Sequence, residues 1–121
     1  MNAAETYLAS ADRLLTQTAR GARGVWPRAC AWLLRLALEA ELDRFWNTVA
    51  PEVAECQSRR AQVLLLHRYA DAATARRVGY LWWALSRAGH HHGYELALTA
   101  GELRRLGTDV AEVVATLRDT E

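Results

Sequence analysis

Arg87, His92 and Tyr94 lie in the stretch Ser86-Arg-Ala-Gly-His-His-His-Gly-Tyr94, an Arg-x4-His-x-Tyr arrangement. An imidazole titrates near neutrality, so it can take the proton of a 2′-hydroxyl or give one to a leaving oxygen. A guanidinium stays charged and offers a planar fork of donors to the negative charge that grows on phosphorus. An arginine beside a histidine is the minimum equipment for cleaving RNA without a metal. Arg87 and His92 are therefore the candidate catalytic pair.

The elements that must position them read as helices nearly everywhere. Ala4, Leu8, Ala11 and Leu15 form the apolar stripe of a first helix, which the Gly21-Ala-Arg-Gly24 linker ends. Pro27 suits the first turn of a second helix with Cys30, Leu33, Leu34, Ala37, Leu38, Leu42, Phe45, Trp46 and Val49 on one broad face. This helix is expected to be the longest and the most buried, and Pro51 closes it. A third, shorter helix holds Ala61, Leu64, Leu65 and Tyr69, its start open between Pro51 and Ser58. Asp71 or Thr74 caps a fourth that runs to about Gly89. Thr99-Ala-Gly-Glu102 is a capping box opening a fifth, with Leu103, Leu106, Val110, Val113 and Leu117 at spacings of three and four and a kink expected at Gly107. Strand-like alternation is scarce, and the expected fold is all-α, a single bundle of four to five helices spanning residues 1–121.

The fourth helix has two faces. At about 100° per residue, Val78, Trp82, Leu85 and Gly89 fall on the core side, while Arg76, Tyr80, Trp83 and Arg87 fall in a narrow sector roughly opposite. A stripe of arginine and aromatic side chains can stack bases and hold phosphates. It can equally be half of a subunit interface, or a second buried face with arginines snorkelling at its ends.

The same geometry bears on which histidine works with Arg87. In an unbroken helix His91 shares the Arg87 face, whereas His92 is turned away by about 140°. If the helix ends near Gly89 or Gly93, His92 is freed to return toward Arg87. His90, His91 and His92 also raise metal binding, with Glu95 or His67 as further ligands. Consecutive helical histidines point about 100° apart and do not converge on one ion, so no metal and no cofactor are expected. His67 reads as a packing or surface residue, and Arg59-Arg60, Arg104-Arg105 and the acids of the last helix as solvated faces. Arg104 or Arg105 can also line an RNA path if that helix flanks the cleft.

Composition sets the outer bounds. The chain has 121 residues, the size of one domain, and fifteen basic against fourteen acidic residues leave a formal charge of +1. That excludes the global basic field of a histone-like protein, so any nucleic-acid affinity must be local. Every basic residue is arginine, which suits phosphate forks and also fits GC-rich coding. Cys30 and Cys56 lack Cys-x-x-Cys spacing, which argues against a zinc knuckle or redox pair, and Cys30 is expected to pack as a small apolar group. The N-terminus carries an early acid and no basic n-region. Ala29 to Ala40 is interrupted by Arg35, and Gly79 to Leu85 is too short to span a bilayer. A soluble cytoplasmic protein without membrane contact is expected.

The stretch from about Ala72 to Glu102, with the long helix before it, resembles the HEPN superfamily of small helical nucleotide-binding and ribonuclease domains. The likeness is to a branch from high-GC bacteria with an aromatic-rich helix followed by Ser-Arg-x-x-His-His-His-x-Tyr-Glu-Leu, and it extends over nearly the whole chain. It implies a HEPN-like bundle, a homodimer, and a metal-independent endoribonuclease in which Arg87 and His92 of two subunits meet in a shared cleft. It further implies an RNA substrate, with Tyr94 beside the pair; His90, His91 and, from the fourth-helix stripe, Arg76, Tyr80 and Trp83 are the expected supporting or RNA-binding residues. In toxin members paired with a nucleotidyltransferase-type antitoxin, the tyrosine two places after the histidine is adenylylated, and Tyr94 stands there. The family usually has Asn, Asp or His directly after the arginine, where this chain has Ala88. Members lacking the full motif are binding modules, so a non-catalytic module for nucleotide, RNA or protein is the alternative expectation.

Overall fold

A helix with one apolar stripe is stable only when that stripe is covered, and here a single long helix collects the stripes of three others. A computed structural model describes residues 2–18, 26–89 and 98–120. The elements are α1 (Ala3–Thr18), α2 (Trp26–Val49), α3 (Pro51–Ala54), α4 (Arg59–Leu65), a 3-10 turn (Leu66–Arg68), α5 (Ala72–Gly89) and α6 (Ala100–Asp119). The protein is all-α, with no strand among the described residues. The Gly21–Gly24 linker and residues 90–97 lie outside them.

At 24 residues, α2 is about 36 Å long and lies at the centre, touching α1, α3, α5 and α6. Cys30, Leu34, Ala37, Leu38, Leu42, Phe45 and Trp46 are fully buried, with Leu33 and Val49 half-buried at the margins. These are the residues its sequence pattern put on one face. The partners supply Ala4, Ala11 and Leu15 from α1, Val78, Leu81 and Leu85 from α5, and Leu103, Val110, Val113 and Leu117 from α6. At Gly107 α6 passes α2, where an added Cβ would stand 3.6 Å from a Leu34 methyl, an ordinary van der Waals contact. The helix runs without interruption from Ala100 to Asp119.

Caps fix where the helices begin. Asn2 Oδ1 accepts from the Glu5 amide at 2.9 Å and starts α1. Asp71 Oδ1 accepts from the Thr74 amide at 2.7 Å, so Asp71 caps α5 and Thr74 sits inside it. The Thr99 and Glu102 capping box is complete at the start of α6, at 3.0 and 2.9 Å. Each satisfies amide donors that the first helical turn leaves without partners.

Two features depart from the sequence expectation. The third expected helix is split into α3, α4 and a 3-10 turn, giving six α-helices among the described residues instead of four to five. The buried Gln62 bridges the break, its Nε2 donating to the Val53 carbonyl at 2.9 Å and the Cys56 carbonyl at 3.0 Å. Ser58 starts α4 afresh by accepting from the Ala61 amide at 3.1 Å. The second departure is Arg59, which is no solvated charge. Its Nη1 lies 2.8 Å from both Asp43 Oδ1 and Gln62 Oε1, and its Nε 3.7 Å from Glu39, tying α4 to α2.

Candidate functional site

The amphipathic pattern of α5 has a direct structural counterpart. Val78, Leu81 and Leu85 are sealed in the core, and Trp82 is half-buried with Nε1 donating to Glu39 Oε2 at 3.0 Å. On the other side Arg76, Tyr80, Trp83 and Arg87 all face solvent, Tyr80 at 60% and Trp83 at 54% of full exposure. Within this chain the stripe is therefore not a second buried face.

Three of its members meet one another. The Arg87 guanidinium carbon lies 5.3 Å from the centroid of the Trp83 ring, a cation–π contact. The Tyr80 and Trp83 rings are 6.3 Å apart and tilted by 40°. Arg76 and Arg87 are eleven residues apart, about 16 Å along the helix axis at the helical rise. Neither has a carboxylate partner among the described residues, while the neighbouring Arg77 is neutralised by Glu112 at 2.8 Å and Asp109 at 3.6 Å. The surface thus alternates cation, ring, ring, cation.

Beside the Arg76 end the stripe borders an open groove between α5 and α6. Its volume is about 320 Å³, and Ala73, Arg76, Arg77, Tyr80, Leu81 and Asp109 line it. Sequence reasoning found Arg76 and Tyr80 but not the α6 side of this groove. The signal was the pair Asp109 and Glu112 at i, i+3, which presents two carboxylates to one helix neighbour.

The remaining candidates sort as follows. His90, His91, His92 and Tyr94 lie outside the described residues, as does the choice of histidine that faces Arg87. Arg87 itself stands in the last turn of α5 and is exposed. His67 is on the surface, its Nδ1 2.7 Å from the Leu64 carbonyl oxygen. Among the described residues no three metal-ligating side chains converge. Arg60, Arg104 and Arg105 are exposed, as expected. Among the described residues no helix is long and apolar enough to cross a membrane.

A second polar cluster, absent from the sequence reading, lies inside the bundle. Glu41 is only 1% exposed on the core face of α2. It accepts from Arg44 Nη2 at 2.6 Å and Arg44 Nε at 2.8 Å, and from Arg118 Nε at 3.3 Å. Arg118 Nη1 also reaches Glu5 Oε1 at 2.6 Å, so one α6 side chain clasps α1 and α2 together. The Arg118 hydrogen bond holds the Glu5 carboxyl below its ordinary range. This network joins α1, α2 and α6 through side chains alone.

Comparison with family models, with curated proteins and with solved structures gave no match to this chain.

Proposed function

We propose that this chain is an RNA-binding protein of the HEPN type that works as a pair of copies and cleaves RNA without a metal. The observation that carries the proposal is the solvent-facing series Arg76, Tyr80, Trp83 and Arg87 on α5. Unpaired guanidinium groups recruit phosphates, and exposed rings offer their faces to unstacked bases. Arg87 lies over the Trp83 ring, so a phosphate next to a base stacked on this surface would be within its reach.

In this reading the His92 imidazole accepts the proton of a 2′-hydroxyl, and the 2′-oxygen attacks the adjacent phosphorus. The bond from phosphorus to the 5′-oxygen breaks, and an imidazolium returns a proton to that oxygen. Arg87 stabilises the charge on the pentacoordinate phosphorus. The products are a 2′,3′-cyclic phosphate and a 5′-hydroxyl. Two copies place their Arg87 and His92 around one cleft, and a nucleotidyltransferase-type antitoxin that modifies Tyr94 is the partner expected for a toxin of this kind. RNA cleavage that persists in chelator and is lost in folded Arg87→Ala and His92→Ala variants supports the proposal. Undiminished cleavage in both variants refutes it.

The second reading is a non-catalytic module that binds RNA on the same surface. Two features favour it: the Arg87 guanidinium is engaged by Trp83, and an apolar Ala88 follows it in α5. RNA binding without turnover, unaffected by His92→Ala, selects this reading.

A further inference from the structure

The groove between α5 and α6 adjoins the stripe without being part of it, and its walls differ in chemistry. Leu81, almost fully buried, and Ala73 give it an apolar floor. Tyr80, 60% exposed, presents a ring at one side, and Arg76 brings a positive charge with no carboxylate partner among the described residues. Opposite stands Asp109 of α6. Its Oδ1 is 3.6 Å from Arg77 Nη2, whereas Glu112 holds the same nitrogen at 2.8 Å. Arg77 is thus satisfied mainly by Glu112, and Asp109, about one third exposed, retains acceptor capacity toward the groove.

We infer that this groove is a subsite for one nucleotide of a single strand, its base against Tyr80, its phosphate on Arg76, and the amino edge of the base donating to Asp109. The inference rests on the RNA-binding reading above and adds to it a place and a base preference. A volume of about 320 Å³ lies at the lower end of small-ligand sites, which suits one nucleotide and is too small for a base pair. A carboxylate accepts from the exocyclic amino groups of cytosine, adenine or guanine; uracil has none and offers only an N3–H flanked by two carbonyl oxygens that the carboxylate repels. A duplex keeps its bases stacked inside and offers no free face to Tyr80, so the site selects single strands. Its distance from Arg87, about 16 Å, spans at most about five stacked nucleotides, so a base held here sets which bond reaches Arg87.

The test uses the full chain and the four nucleoside 5′-monophosphates, with binding followed by NMR, and a single-stranded oligoribonucleotide in parallel. CMP, AMP and GMP are expected to bind in the groove and UMP to bind at least about fivefold more weakly. Tyr80→Ala and Arg76→Ala should each weaken CMP binding by about fivefold or more. Asp109→Asn should abolish the preference over UMP, with Arg77 still held by Glu112. Equal binding of all four nucleotides, or CMP binding unchanged in Tyr80→Ala, overturns the subsite. If the oligoribonucleotide still binds through Trp83 and Arg87 in that case, the proposed function stands without it. Failure of the oligoribonucleotide to bind at all removes both. Self-association that is lost in Tyr80→Ala, with no nucleotide bound to the wild type, assigns the groove to a second copy and also overturns the subsite.

Discussion

Replacing the adjacent tryptophans of α5 one at a time separates the face that holds the fold from the face assigned to RNA. Trp83 is 54% exposed and its ring meets the Arg87 guanidinium, so Trp83→Ala removes an exposed cation–π interaction of about 0.5–1 kcal/mol and little packing. Its unfolding free energy should fall by less than about 1 kcal/mol. Its affinity for single-stranded RNA should fall by far more, since a stacked base contributes about 1–3 kcal/mol, or about 5- to 150-fold in Kd. Trp82→Ala should do the reverse. It removes a hydrogen bond to the Glu39 carboxylate and a half-buried ring, together about 2–4 kcal/mol of stability. The RNA affinity of the molecules that remain folded should not change. Urea unfolding read by circular dichroism gives the stabilities, and fluorescence anisotropy with a labelled oligoribonucleotide gives the affinities. A Trp83→Ala protein that unfolds, or one that binds RNA as tightly as the wild type, refutes the division of α5 into these two faces.

Three further outcomes are expected. Glu41→Gln should cost about 2–4 kcal/mol in urea unfolding, because Arg44 and Arg118 lose a shared buried partner; their own exposure of about one third keeps the cost below that of a fully buried pair. Glu102 and Asp71 are held below their ordinary carboxylate values, each chiefly by a backbone N–H, of Thr99 and Thr74 respectively, and Glu5 chiefly by Arg118. Folded carboxylates of lowered pKa bind fewer protons than unfolded ones. Their contribution is full above about pH 5 and drains away as pH falls below about 4, so Glu102→Gln and Asp71→Asn should each flatten the acid limb of a stability–pH curve. Burial pushes the Cys30 thiol up to about 11, and its Sγ contacts the Ala11 carbonyl at 3.9 Å, whereas Cys56 is exposed. A thiol reagent at pH 8 should therefore modify Cys56 in the native protein and reach Cys30 only after denaturation.

How much the sequence revealed depended on whether a feature was local. The Thr99 capping box and the apolar face of α2 are set by residues a few positions apart, and residue type and spacing exposed them; they narrow the α5 cap to Asp71 or Thr74, and the hydrogen bond that Asp71 accepts from the Thr74 amide decides it. The α5 stripe was visible for the same reason, though only the folded chain shows that its outer side meets solvent. Glu41 escaped because it reads as an exposed acid breaking an apolar face; its partner Arg118 lies 77 residues away. Arg59 reads as solvated because Asp43 is 16 residues distant, and the α3–α4 break is bridged by a Gln62 amide nine residues from its Val53 partner, beyond the reach of local pattern. The α6 wall of the groove needed the packing of two helices. The histidines that complete the proposed chemistry lie outside the described residues.

The most direct test of the central claim is to titrate isotopically labelled protein with single-stranded RNA and map the perturbed NMR resonances. The account predicts shifts concentrated on Arg76, Tyr80, Trp83 and Arg87 along the outer face of α5, together with the Trp83 indole N–H and not that of Trp82. Shifts confined to other helices, or no shifts at RNA concentrations that saturate a filter-binding assay, would contradict it.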